Sequence, residues 1–375
     1  MNFGMIVYIL AWVLKIEALS LLLPLLISLI YREQSAVPIL LVALLSGIFG
    51  TILGFKKPRR TAFYAREGFV AVAGCWIVLS LVGALPFFLS GRIPRYVDAV
   101  FEIVSGFTTT GSSILGDVEL LGKGLLFWRS FSHWIGGMGV LVLVLTILPL
   151  GGGYNLMIMK AESPGPDVSK MVPRVADSAK ALYKIYLALT VLMIAVFLLT
   201  GMPLFDSLCI GFGTAGTGGF AVRNSGMADY SMLSQFFITI FMILFGVNFN
   251  VYYLMQKRRF RDSLHSEEAR YYLLIIAFST LFIAFQILRQ CGGDFLYALH
   301  HSFFTVGSII TTTGFSSLDF NLWPAPCQML LLFLMICGAC AGSTGGGIKV
   351  SRLIIMGKEI GKEMHLIIHP EAVRR

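Results

Sequence analysis

Thr108-Thr109-Thr110-Gly111-Ser112-Ser113 returns almost unchanged as Thr311-Thr312-Thr313-Gly314-Phe315-Ser316, and a looser copy, Thr217-Gly218-Gly219-Phe220, lies between them. Successive copies stand about a hundred residues apart, and repetition at a fixed period marks one supersecondary unit used several times. The first and third copies align most tightly. Phe101-x-x-Val104-Ser105-x-x-Thr108 matches Phe304-x-x-Gly307-Ser308-x-x-Thr311, and the second copy keeps the spacing with Gly213 in the Ser position. Each copy follows an apolar stretch and a short amphipathic segment, and a second apolar stretch comes after it.

Composition sets the surroundings of this unit. Of 375 residues, 57% are hydrophobic and only 13% charged, with a mean hydropathy of +0.81. That is too little polar surface to cover a soluble globule. Uncharged apolar runs of about 18 or more residues read as bilayer spans, so the chain is expected to be an integral membrane protein. The net charge of +9 does not indicate nucleic acid, because the basic residues cluster in loops at alternate ends of the spans. The six cysteines form no disulfide framework, and the N-terminus lacks the features of a cleaved leader.

Taken in order, Ile6–Ile30 and Val37–Phe55 are expected spans. Lys15 and Glu17 interrupt the first; at spacing i,i+2 they do not share a helix face, and docking or snorkelling is the expected role of each. The cluster Lys56-Lys57-Pro58-Arg59-Arg60 is cytoplasmic by the positive-inside rule. Three repeats follow. In the first, Phe69–Leu89 runs outward, Asp98–Phe107 is too short to cross, and Leu125–Leu150 returns. The second has Leu182–Leu199, a short Asp206–Gly213 and Met232–Met255; the third has Tyr271–Leu288, a short Leu296–Ser308 and Met329–Met356. The basic loops, with Lys160, Lys170, Arg174 and Lys180, then Lys257, Arg258, Arg259 and Arg261, all fall on one side. The expected organisation is a helix pair over 1–60, pore repeats over 61–160, 161–262 and 263–358, and a cytoplasmic connector over 359–375. The fold class is an all-α membrane protein built from helix–pore loop–helix repeats of potassium-channel type.

Non-helical backbone at membrane depth is tolerated only where protein buries it or a water-filled passage adjoins it. Extended Gly-bearing segments can turn carbonyls to one side, and a ring of carbonyls replaces the water shell of a monovalent cation. The short helices point C-terminal ends at the centre, each carrying about half a negative charge. Thr/Ser/Gly runs also serve as ordinary helix-packing surface; three at matched positions behind half-helices favour the pore.

The chain resembles the TrkH/KtrB superfamily of potassium-translocating subunits, most closely its TrkH-like branch. The resemblance rests on Thr108–Ser113, Trp128-Arg129-Ser130-Phe131-Ser132-His133-Trp134-Ile135-Gly136-Gly137-Met138-Gly139, Gly213–Phe220, Asn248-Phe249-Asn250, Thr311–Ser317 and Cys340–Lys349. It implies a K+ filter made by Thr109, Thr110, Gly111 and Ser112, by Thr217, Gly218, Gly219 and Phe220, and by Thr312, Thr313, Gly314 and Phe315. Gly111, rather than Ser at that position, leans toward potassium over sodium, with some Rb+ or Na+ passage. The resemblance further implies a homodimer in a prokaryotic cytoplasmic membrane, its N-terminus cytoplasmic, regulated by a cytosolic nucleotide-binding (TrkA-like) subunit. K+ is the transported ion, no resident cofactor is implied, and the function is transport rather than catalysis.

Gly342-Ser343-Thr344-Gly345-Gly346-Gly347-Ile348-Lys349 interrupts the last apolar stretch. It falls short of a phosphate-binding loop because Ile348 stands where that pattern needs Lys. A broken helix with a loop beneath the filter is the better reading, and the resemblance supports a gating role for Gly342, Ser343, Thr344, Gly345, Gly346, Gly347 and Lys349. Cys337 and Cys340 have metal-pair spacing but no second pair, so packing is expected of them. His300 and His301 are adjacent and cannot both face one site. Glu102, Asp117, Glu119 and Asp319 fall near the expected outer mouth, where they either attract cations or are solvated loop charge. A carbonyl filter needs four walls and this sequence supplies three; the expectation is that a fourth repeat is missing and that the chain alone conducts poorly. A secondary carrier with discontinuous helices is the alternative, disfavoured because the basic loops give every repeat the same orientation.

Overall fold

A computed structural model describes residues 2–56, 65–139 and 175–368. Lys57, Arg59, Arg60, the stretch 140–174 with Lys160, Lys170 and Arg174, and the end of the expected connector lie outside the described residues. Those described form helices and connecting turns, with no β-strand among them. The helices α1 (Phe3–Ser20), α2 (Leu22–Ile30) and α3 (Ala36–Leu53) make the N-terminal pair of spans. The first repeat contains α4 (Ala65–Gly83), α5 (Leu85–Leu89), α6 (Tyr96–Phe107) and α7 (Lys123–Gly137). The second contains α8 (Val175–Leu199), α9 (Leu204–Ala215), α10 (Met232–Gly246) and α11 (Phe249–Gln256). After the short α12 (Phe260–Leu264), the third has α13 (Glu267–Ile287), α14 (Phe295–Ile310), α15 (Ala325–Cys337) and α16 (Val350–Ile368).

Phe3–Ile30, Ala36–Leu53, Arg66–Leu89, Lys180–Leu199 and Glu267–Ile287 are each long and apolar enough to span a bilayer. The short α6, α9 and α14 are not: a helix rises about 1.5 Å per residue, which leaves 12, 12 and 16 residues well short of a hydrocarbon core of about 30 Å. Large apolar side chains such as Leu44, Ile48 and Ile52 on α3 and Phe278, Leu281 and Phe285 on α13 stay exposed. In a membrane these faces meet acyl chains.

Phe3–Ile30 and Arg66–Leu89 stay continuous spans through the helix breaks at Leu21 and Ala84, but two other expected spans are sharply broken. Met232–Met255 divides into α10 and α11, bent by 87°. At the break Val247 is extended, the Asn248 side chain caps the Asn250 N–H at 2.9 Å, and the Phe249 N–H donates to the Gly342 carbonyl at 3.0 Å. The hydropathy runs on while the backbone bonds of α10 end, their place taken by side-chain and loop partners. Met329–Met356 divides at Gly338, where φ is +70°, and resumes as α16 from Val350.

Each half-helix packs against its own flanking helices, and α9 and α14 also pack on the return helix of the preceding repeat, α7 and α10. Apolar packing therefore joins the repeats in chain order: one buried cluster runs from the N-terminal pair through the first two repeats to Phe304 and Phe315 of the third, and a second unites the rest of the third with Ile243 and Val247 of the second. Within α1, Lys15 lies over the Trp12 ring at 4.8 Å. Glu17 departs from expectation, being 1% exposed with neither carboxylate oxygen hydrogen-bonded.

A candidate ion-filter site

The three half-helices end in the same turn. Thr109 and Thr110 return their N–H groups to Gly106 and Ser105, at 3.1 and 3.0 Å. Thr217 and Gly218 do so to Thr214 and Gly213, at 3.1 and 2.9 Å, and Thr312 and Thr313 to Ile309 and Ser308, at 3.0 and 2.9 Å. This is the Schellman pattern, whose left-handed residue is usually Gly. Here it is Thr every time: φ is +55° at Thr109, +52° at Thr217 and +58° at Thr312. Two residues on, Gly111, Gly219 and Gly314 are again left-handed, with φ of +78°, +78° and +88°. A β-strand alternates its peptide groups from side to side. Alternation of left- and right-handed residues instead turns successive carbonyls the same way, as a cation-lining segment requires.

These segments lie side by side. An ideal Cβ on Gly111 would overlap the Gly218 carbonyl oxygen, and one on Gly219 would overlap that of Thr313. The first segment thus adjoins the second and the second adjoins the third. At Gly314 no described atom lies within 4 Å of such a Cβ. The three candidate segments thus form one array through Gly111 beside Gly218 and Gly219 beside Thr313. With the half-helix N-termini taken as the upper end, each of these helices starts at a carboxylate, Asp98, Asp206 or Asp294, and ends at the array. Asp294 also caps α14 through Leu296 and Tyr297. Acidic groups suit helix starts, and the opposite ends present partial negative charge.

Beneath the array lies the Gly-rich loop. The Thr217 hydroxyl donates to the Thr344 carbonyl at 2.9 Å, and the Gly346 N–H donates to Thr312 Oγ1 at 2.7 Å. Both contacts use the left-handed threonines, so a glycine there would ease the backbone and lose the link. The loop is also tied to the bend between α10 and α11, through Cys340 N–H to Gly246 O at 3.0 Å and Gly342 O to Phe249. Lys349 turns back to donate to the Gly345 carbonyl. Gly342, Ser343, Thr344, Gly345, Gly346, Gly347 and Lys349 therefore form one compact plug against the lower ends of the second and third segments.

Charged residues that the pattern of repeats did not single out hold the array. Glu102 is not a cation-attracting group at the mouth. It is fully buried on α6 and pairs with Arg129 of α7 at 2.5 Å, because the half-helix turns it inward. The Glu102 carboxylate also accepts from Ser113 Oγ and the Ile114 N–H, both at 3.0 Å, while Arg129 donates to the Ala221 carbonyl at 3.1 Å. The Arg129 guanidinium lies 3.5 Å from the Phe220 ring centre, and the His133 imidazole stacks on the same ring at 4.0 Å. Two groups that close must take opposite faces. Phe220 is thus clamped, and the first and second segments are bound together. The signal for this was an Arg and a Glu inside apolar stretches, where charge is costly unless paired.

Above the array, Asn224 joins the upper loops of the first two repeats through Asp117 at 2.6 Å, the Val118 N–H at 2.9 Å and Glu119 at 3.1 Å. The Asn224 amide holds the Asp117 carboxyl below its usual range, so it remains ionised. Asp319 caps the short 3-10 turn at Phe320–Leu322. The two adjacent histidines diverge, His300 to Gln235 at 2.9 Å and His301 to Ser317 at 3.0 Å. Cys337 and Cys340 are buried and free, and no group of His, Cys, Asp or Glu suited to a metal occurs among the described residues.

Fold and site together define a multi-pass membrane protein of the helix–pore loop–helix class, an architecture for ion passage. The family model for TrkH, described as a cation transport protein, matches residues 39–289 and 294–375. The Trk system potassium uptake protein TrkH of Halomonas elongata is 34% identical over 380 residues, covering 100% of this chain and 78% of that protein. TrkG of Escherichia coli K12, also a Trk system potassium uptake protein, is 32% identical, covering 95% of this chain and 74% of its own. The crystal structure of the potassium transporter TrkH from Vibrio parahaemolyticus superposes with a TM-score of 0.84 at 31% identity, covering 100% of this chain and 78% of that one. The chain belongs to the TrkH family of cation transport proteins.

Proposed function

We propose that this chain is the pore-forming subunit of a potassium uptake system. K+ passes along the carbonyls of Thr109–Ser112, Thr217–Phe220 and Thr312–Phe315. The observation that supports this reading most is the shared geometry of the three segments: a half-helix, a left-handed Thr and a left-handed Gly, set side by side. One left-handed Gly per segment gives a short carbonyl ladder, so Rb+ passes as well and Na+ is rejected incompletely. The Gly-rich loop gates the lower end. In this reading the upper end is external, the N-terminus is cytoplasmic, and the host membrane is a prokaryotic inner membrane. Two copies associate, and a cytosolic nucleotide-binding subunit of the TrkA kind acts from the lower face, which carries Lys257, Arg258, Arg259 and Arg261. Rb+ flux into vesicles, with and without Na+, tests the reading. Flux independent of Na+ supports a pore, and strict dependence on Na+ supports a carrier instead.

A further inference from the structure

We propose that Glu268 is the positioning residue that holds the Gly-rich loop in place, by fastening both ends of the loop to one carboxylate. The inference rests on the gating reading above. Glu268 stands in the first turn of α13. Its Oε1 accepts from the Ala341 N–H at 2.6 Å and from the Ser351 N–H at 3.2 Å. Ala341 precedes the Gly-rich run and Ser351 follows it. A single oxygen therefore closes the loop into a ring, and the loop cannot swing from Thr217 and Thr312 unless one end lets go.

The other carboxylate oxygen accepts from Asn248 Nδ2 at 3.4 Å, at the bend where Phe249 already binds Gly342. Glu268 thus joins three elements of the plug. Hydrogen bonds to an ionised acceptor are about twice as strong as neutral ones. Ser351 lies in the first turn of α16, where a negative charge is favoured by the helix ends. The neighbouring Glu267 pairs with Lys358 of α16 at 2.7 Å, which keeps that helix within reach. Because the loop offers only backbone N–H groups to Glu268, its own sequence carries no sign of the partner.

The test compares the full chain with Glu268→Ala and Glu268→Gln in vesicles, reading Rb+ flux together with hydrogen exchange of the loop amides. Losing a charge-assisted hydrogen bond corresponds to roughly a tenfold change in an opening equilibrium. Glu268→Ala is therefore expected to raise both loop exchange and Rb+ flux about tenfold. Glu268→Gln, which keeps an acceptor without charge, is expected to fall between. A residue that merely supported the fold would lower flux when replaced. Flux and exchange at or below the parent level, at equal abundance, overturn the proposal; if the Ala variant does not accumulate, the same result from the Gln variant does so. Deletion of Gly345–Gly347 separates the two readings. If the deletion raises flux and the Glu268 variants do not, the clamp fails and the gate stands. If the deletion does not raise flux, the gate fails, and loop exchange alone decides whether Glu268 holds the loop.

Discussion

At Gly219 a methyl group would meet the Thr313 carbonyl, in a backbone region that L side chains avoid. Gly219→Ala should therefore distort the second and third segments together and cut Rb+ flux by at least about tenfold, against a backbone penalty of around 1 kcal/mol even before the overlap. Glu102→Gln should act on stability instead. It leaves the Arg129 charge buried without its counter-ion, a loss of about 3–5 kcal/mol for a buried pair, read as a large fall in the thermal midpoint in detergent. The left-handed glycines Gly111, Gly219 and Gly314 were legible in the sequence as matched positions because a repeat displays them three times over. Glu102 was visible too, but placed wrongly. Its role depends on which face of a half-helix turns inward, and three residues of context cannot tell that. Glu17, buried without a partner, was equally beyond reach of a spacing rule.

Half-helices were the most legible elements. A segment of ten or so apolar residues cannot cross, and the basic loops beyond its flanking spans fix which way the chain returns. The bend at Asn248 was not legible, since no charge interrupts Met232–Met255, Asn248 and Asn250 alone do not force a break, and the partners that stabilise the bend come from the third repeat. Asn248→Ala removes both the cap on Asn250 and the contact with Glu268. A lost cap is worth about 1 kcal/mol, and the expected result is a modest fall in thermal midpoint with faster exchange in Gly342–Ile348. A variant whose loop exchange is unchanged would show that the bend and the plug are independent. The plug itself was anticipated as a Gly-rich interruption. Its attachment through Thr217 and Thr312 was not, because nothing in a Thr-Gly string says that its Thr residues take the left-handed position.

For the whole molecule, the chain order of the repeats becomes their order in space, so α9 and α14 each lean on the repeat before them. The proposed orientation rests on Lys56, Lys257, Arg258, Arg259 and Arg261 and puts Gly116 outside and Met364 in the cytoplasm. With the half-exposed Cys291 replaced by Ser, an impermeant thiol reagent applied to intact cells should label Gly116→Cys and leave Met364→Cys untouched; the reverse pattern would invert the topology. The most direct test of the central claim, that three matched segments line one cation path, is Rb+ uptake into vesicles bearing the full chain and its Gly219→Ala variant. The account predicts weak uptake, still above that of empty vesicles, competed by K+, undiminished without Na+ and lost in the variant. Uptake that persists in Gly219→Ala, or that requires an imposed Na+ gradient, would contradict it.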